Sequence, residues 1–317
     1  MQKFLETFFL LCLAFSLTGC GEPTKNVTII CPWAPGGGTD RLSRFWAAAL
    51  EKEFGKPFVV VNKTGGSGAV GHKAGSSARP DGNTITMITV ELSTMHHMGI
   101  PGGTHEDFKA VLQMNADAAA IMVRKDAPWQ SLAELLDHIK ANPGKVKMSG
   151  TATGGVWDLA RAGLLSKVDL PVDSVVWVPA KGAGPSLVEL LGGHIDAVCC
   201  SVPEAATQIE AGELRALAVM SEEPLAEFPD IPIVKPDIDW VAVGWRGLAV
   251  PKDTPDEIVD QIAAKCRKIA ESAEFKDFMK KNGFSIVIRE REEFAKFLAE
   301  QDKQWKPVVE AAGYAQQ

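Results

Sequence analysis

Hydrophobic positions along this chain change period repeatedly. Short β-branched runs give way to stretches in which apolar residues recur every three or four positions. Residues 27–31 have the length and composition of a strand. Leu42, Phe45, Trp46, Ala49 and Leu50 then fall on one face and predict a helix over 41–54. Residues 58–61 predict the next strand, followed by a glycine turn and a short helix through Ser77. Arg79-Pro80-Asp81-Gly82-Asn83 is a turn, since Pro fixes φ while Gly and Asn tolerate the left-handed region; residues 84–89 make a third strand. A second series begins near Ala118. Ser131 caps a helix bearing Leu132, Leu135, Leu136 and Ile139, which Asn142-Pro143-Gly144 stops. Residues 146–149, 175–178, 195–200 and 214–220 predict strands, the first three leading into helices. Beyond a Pro-rich stretch over 224–236, the pattern predicts a strand at 247–250, helices over 255–272 and 274–282, a strand at 284–288 and a helix from 290 onward.

Strands alternating with helices predict an α/β fold with parallel sheets covered by helices. The two series predict two lobes, with residues 20–120 plus 246–317 in the first and residues 121–245 in the second. The chain is expected to cross between them near 116–124 and 240–250.

Ahead of the first strand, Lys3 precedes an apolar run from Phe8 to Leu17, too brief to span a bilayer, and Leu17-Thr18-Gly19-Cys20 follows. This resembles a bacterial lipoprotein signal over residues 1–19. In such proteins the cysteine, here Cys20, receives the lipid and becomes the new N-terminus. An ordinary secretory signal with an incidental Cys20 is the alternative, and Glu6 is atypical for either. Both readings export the chain to the periplasm or cell surface, away from ATP and nicotinamide cofactors, and lipidation tethers it to a bacterial membrane.

The formal net charge of −7 argues against a nucleic-acid partner, which needs clustered Lys and Arg, but leaves room for a local anion site. Cys31, Cys199, Cys200 and Cys266 are too few for a disulfide scaffold in a chain this long. Adjacent Cys199 and Cys200 read as small buried hydrophobes, because neither a CxxC spacing nor a nearby His supports redox or metal chemistry.

Candidate chemistry lies in three glycine-rich loops, each after a predicted strand and before a helix. The first runs Pro32-Trp33-Ala34-Pro35-Gly36-Gly37-Gly38-Thr39-Asp40, the second spans Gly65, Gly66, Ser67, Gly68 and on to Gly71, and the third is Gly150-Thr151-Ala152-Thr153-Gly154-Gly155. Such loops bring bare backbone N–H groups to helix N-termini, where unpaired donors and the helix dipole favour an anion. Thr39, Ser67, Thr151 and Thr153 add hydroxyls, and in open parallel sheets all these loops lie at the carboxyl ends of the strands. Any one loop could serve only a tight turn; three at equivalent places predict a clamp for a small anion. Ser93, after the third strand, joins the candidate contacts. Lys181, ahead of Gly182 on a fourth strand-to-helix loop, either faces the cleft or lies on the surface, and Trp33 either covers an apolar ligand body or packs. Gly66, Gly68 and Gly71 also satisfy GxGxxG, with Glu91 twenty residues on. An NAD(P)-dependent oxidoreductase is therefore the alternative, opposed by the export signal and by the motif's place on the second strand. His96-His97 fits no HExxH or HxxxH frame and reads as a solvated loop, so neither metal nor cofactor is expected.

In order, these motifs resemble the substrate-binding proteins of tripartite tricarboxylate transporters, the TctC or Bordetella uptake gene family, over essentially all of the exported chain. Carrying the resemblance are the first loop through Arg44, Gly65 to Gly71 with Ala78-Arg79-Pro80-Asp81-Gly82-Asn83-Thr84, and Asn142-Pro143-Gly144-Lys145 leading into Gly150 to Gly155. Val178-Pro179-Ala180-Lys181-Gly182-Ala183-Gly184-Pro185, Leu191-Gly192-Gly193-His194-Ile195-Asp196, Gly212 to Val219 and Pro229-Asp230-Ile231-Pro232 complete it. The resemblance implies a two-lobed periplasmic-binding-protein fold of type II character. Such a protein is a non-enzymatic monomer that captures a small organic carboxylate between its lobes and delivers it to the membrane subunits of a symporter. It also implies that the first two loops and Gly150 to Gly155 grip the ligand. Ala180, Gly155 and Asp158 stand where Tyr, Ser and His are usual, which widens the pocket; with Trp33 and Trp157 this points to a larger or more apolar acid than the usual dicarboxylate.

Overall fold

The computed structural model describes residues 26–315, so Cys20 and residues 1–19 lie outside the described residues. The first half of the fold is β1 (Val27–Cys31), α1 (Gly38–Phe54), β2 (Phe58–Asn62), α2 (Ala69–Ser76) and β3 (Thr84–Thr89). A 17-residue strand, β4 (Phe108–Arg124), leads to the second half. That half comprises α3 (Leu132–Ala141), β5 (Val146–Ser149), α4 (Val156–Lys167), β6 (Val175–Trp177), α5 (Ala183–Leu191), β7 (Ala197–Ser201), α6 (Val202–Glu210) and β8 (Leu214–Val219). The return is β9 (Val243–Pro251), followed by α7 (Asp256–Glu271), α8 (Ala273–Lys281), β10 (Arg289–Glu290) and α9 (Arg291–Ala311).

The strands join in the order β2-β1-β3-β9-β4-β7-β5-β6, with β8 and β10 also on β4. β1 is parallel to β2 and β3, and β5 to β6 and β7. Between these parallel groups, β9 and β4 run antiparallel from Phe108↔Pro251 to Ala118↔Val243, with two register shifts. The curled sheet is therefore continuous, but its two ends form two lobes, and β4 and β9 are the strands that pass from one to the other.

Each lobe buries its own core. In the first, Leu42, Trp46 and Leu50 of α1 pack with Ile262 of α7 and Phe275 of α8 over Ile29, Ile85 and Leu248. The second gathers Leu159 and Leu165 of α4, Leu187 of α5 and Val198 of β7, and extends to Phe294 and Leu298 of α9. Helical spacing places those residues on one stripe, and burying each contributes roughly 1.5–3 kcal/mol.

Two expectations are corrected. Residues 284–288 form no strand: the Ser285 amide and hydroxyl bond Asp117 Oδ1 at 2.9 and 3.0 Å, so its backbone donor does not join a ladder, and Ile286 is 44 % exposed. Residues 108–117, in contrast, belong to the longest strand. Gln113, Asn115 and Asp117 are polar yet buried there, and pairing with β9 outweighs their weak strand preference.

Candidate functional site

The loops after β1, β2, β5 and β6 meet at one face, together with the segment after β3, the start of α6 and the start of β9. Ser67 Oγ donates to the Thr153 carbonyl oxygen at 2.7 Å, joining the second loop to the third. The Ala34 amide donates to the Lys181 carbonyl at 2.9 Å, joining the first to the fourth. Between them lies a cavity of about 30 Å³, room for about two waters. The lobes are thus closed upon each other.

The first and third loops are built alike. Gly36-Gly37-Gly38-Thr39-Asp40 and Gly154-Gly155-Val156-Trp157-Asp158 share the spacing Gly-Gly-x-x-Asp. Gly36 and Gly154 have φ of 89° and 72°, the left-handed region that glycine enters without strain. Gly37 and Gly155 follow as extended N-caps. Asp40 Oδ2 then accepts the Gly36 amide at 3.0 Å and Asp158 Oδ2 the Gly154 amide at 2.9 Å, so each aspartate folds its own loop over the first helical turn.

Each free helix N-terminus takes a carboxylate from the opposite lobe. The Gly38 amide of α1 donates to Glu204 Oε1 at 3.1 Å, and the Val156 amide of α4 donates to Glu91 Oε1 at 2.8 Å. Unpaired amides and the helix dipole favour negative charge at such ends, which is what both glutamates supply. Glu204 also caps its own helix through Ser201 and accepts Arg246 Nη2 at 3.1 Å. Arg246, buried in β9, also donates to Asp117 at 3.0 Å and to Thr39 Oγ1 at 2.9 Å. Burial pushes the Asp117 carboxyl up, against the pull of Arg246 and the Ser285 bonds. Burial likewise raises Glu91, against hydrogen bonds from Thr89 Oγ1 and the Val156 amide. Thr89 in turn receives Trp33 Nε1 at 3.3 Å.

Of the residues singled out from sequence, Trp33, Gly37, Thr39, Thr151 and Gly182 line the cavity. Thr151 Oγ1 is buried there without a hydrogen-bond partner. Gly36, Gly38, Gly154 and Gly155 shape the two loops just described. Ser67 and the Thr153 carbonyl form the lock at the rim, where the Thr153 side chain is exposed. Asp40 is turned away: although burial raises it, bonds from Arg44, Asn62 and the Gly36 amide hold it below the ordinary carboxylate range. Lys181 offers the clamp its carbonyl while its side chain is exposed. Pro35 and Gly66 are exposed, Gly65 supports Val70 with φ of 126°, and Ser93 is buried outside the cavity. The GxGxxG glycines do not form a dinucleotide cradle. A Cβ on Gly71 would sit 2.6 Å from Pro32 Cα, so that glycine serves packing, and Glu91 is fully buried against α4 rather than open to a ribose.

Sequence reading missed Glu91 as a cross-lobe ligand, Glu204, Arg246, Trp245 and His72. His72 braces the second loop: its Nε2 accepts the Thr89 amide at 3.2 Å, so Nδ1 carries the proton donated to the Gly68 carbonyl at 2.9 Å. Burial lowers its pKa to about 4. The repeated Gly-Gly-x-x-Asp spacing was a usable signal for the paired loops; nothing local announced Glu204 or Arg246. The His96-His97 expectation is corrected as well. Both rings are partly buried beside Asp302 of α9 rather than solvated.

The model of the tripartite tricarboxylate transporter receptor family matches residues 42–314. The chain belongs to this family. Protein BugT of Bordetella pertussis is 29 % identical over 301 residues, covering 92 % of this chain and 90 % of that one. A TctC solute-binding protein from Polaromonas, solved without ligand, is 35 % identical, with a TM-score of 0.66 over 91 % of this chain and 99 % of that one. MatC from Rhodopseudomonas palustris, solved with malate, shares the fold at 22 % identity, with a TM-score of 0.83 over 90 % of this chain and 99 % of that one. Family members are solute-binding proteins, and no helix among the described residues is long and apolar enough to cross a membrane.

Proposed function

We propose that this receptor is anchored through Cys20 outside the cytoplasm, closes as a monomer on a small organic carboxylate with an apolar body, and hands it to the membrane subunits of a tripartite tricarboxylate-type symporter. The lobes would divide as residues 20–120 plus 246–317 and residues 121–245. The observation that carries this reading is the pair of matched loops facing each other across the cavity, each presenting a helix N-terminus already selected for a carboxylate by Glu204 and Glu91. A ligand carboxylate takes over one of these positions when the lobes reopen and close around it. Thr151 Oγ1 supplies a further donor, and Trp33, Trp157 and Trp245 line the space for the ligand body. MatC binds malate, and an R. palustris protein of the same fold was solved with adipate; both are small dicarboxylates. Three tryptophans around this cavity favour a longer or aromatic acid here.

Calorimetry and thermal shift against aliphatic and aryl mono- and dicarboxylates test the reading, with NADH as the control for the oxidoreductase alternative. Saturable heat with a concentration-dependent rise in Tm is expected from at least one acid and none from NADH. Binding of NADH with no response to any carboxylate would overturn the proposal.

A further inference from the structure

Three histidines converge on one carboxylate oxygen at the side of the first lobe, outside the cleft. His96 and His97 follow β3, His105 opens the short turn before β4, and Asp302 projects from α9. His96 Nε2, His105 Nδ1 and His97 Nε2 lie 3.0, 3.8 and 3.9 Å from Asp302 Oδ1. Despite these distances, Oδ1 is buried without a directed hydrogen bond, and Nδ1 of His96 and of His105 are buried with no partner. Buried polar groups are ordinarily paired, so a cluster with this many unpaired lone-pair atoms is unusual. Apart from the His97 Nε2 contact with the Asp302 carbonyl oxygen, its atoms approach one another without bonding one another.

We propose that this cluster is a binding site for a divalent first-row transition cation, with Zn²⁺ as its natural probe. A tetrahedral ion with ligands at 2.0–2.1 Å holds its donor atoms about 3.3 Å apart, and the Asp302 Oδ1 separations of 3.0 to 3.9 Å bracket that value. One ligand atom from each of His96, His97 and Asp302 falls within 4.8 Å of the others. Imidazole with one carboxylate suits Zn²⁺, Co²⁺ or Ni²⁺ rather than Mg²⁺ or Ca²⁺. His97 Nε2 also lies 3.0 Å from the Asp302 carbonyl oxygen, a contact it would exchange for the ion.

The backbone that carries these rings is fixed without the ion. Met95 is fully buried, and Gly102 packs so tightly that a Cβ there would lie 2.9 Å from Ala69 Cα. Thr104 and Asp107 form a reciprocal capping box around His105. The ion would tie α9 to the segment between β3 and β4, the same segment whose Met98 lies against Gly154 of the opposite lobe.

The test uses the tag-free full chain, stripped with chelator and titrated with Zn²⁺ by calorimetry and thermal shift. One ion per chain and a saturable rise in Tm are expected. His96→Ala, His97→Ala and Asp302→Asn should each weaken Zn²⁺ binding at least about tenfold, while His194→Ala, an exposed ring paired with Glu189, should leave it unchanged. Co²⁺ in the unmutated chain should give the visible absorption of a tetrahedral nitrogen-oxygen site, without a thiolate charge-transfer band, and Zn²⁺ should bleach it. That measurement needs no variant to fold. Absent saturable binding, a thiolate band, or affinity indifferent to Asp302→Asn and His96→Ala would each overturn the proposal.

Discussion

Ser67→Ala isolates the clamp from everything else in the cleft. Ser67 Oγ reaches across from the second loop to the Thr153 carbonyl, a contact that exists only while the lobes are together. A neutral hydrogen bond of this kind contributes about 0.5–1.5 kcal/mol net. No orphan penalty is added, since Thr153 is exposed and its carbonyl returns to water. Ser67 has φ of 54°, and alanine carries the same Cβ there, so local strain is nearly unchanged. The closed-to-open ratio should therefore fall about 2- to 12-fold. Because a ligand that binds the closed form is weakened by the fraction lost, apparent affinity should fall by a similar factor wherever the closed form is the minor state. Fluorescence transfer between dyes on Lys52→Cys and Val188→Cys reads the ratio directly, in a chain lacking residues 1–19 and carrying Cys20→Ser. Both labelled positions are exposed, and Cys31, Cys199, Cys200 and Cys266 are buried. Ser93→Ala, a buried hydroxyl with no partner across the cleft, is the control. An unchanged transfer efficiency in Ser67→Ala would sink the closure argument, whatever happened to affinity.

Arg246→Met should cost about 3–5 kcal/mol of stability in urea unfolding, because it strands Asp117 and Glu204 as charges in a water-poor site; a loss below about 1 kcal/mol would mean that water already reaches them. His72 gives a pH signature. Its folded pKa of about 4 lies below the ordinary 6.5, so the folded chain binds fewer protons, and stability present above pH 6.5 is lost as pH falls towards 4. The shift corresponds to about 3 kcal/mol. His72→Gln should flatten that part of the stability profile, and an identical slope in both proteins would remove His72 as its cause.

What the chain alone determined was local: the alternation of strand and helix, the glycine loops at the strand ends, and the turn at Arg79 to Asn83. These are legible because period, propensity and turn chemistry act over a few neighbouring residues. Trp33, Gly37, Thr39, Thr151 and Gly182 reached the cavity because a loop at a strand's carboxyl end has few other places to go. What the tertiary structure decided was every contact made at long sequence separation. Glu204 stands 166 residues from Gly38, and Arg246 stands 207 from Thr39. No spacing rule connects such positions. Asp40 and Lys181 show the converse limit, since residue type and loop place were legible while side-chain direction was left open. That direction follows from which neighbour satisfies the charge: Arg44 one turn along the helix for Asp40, and water for Lys181. Burial and pairing are properties of the closed fold, and only the fold could assign them.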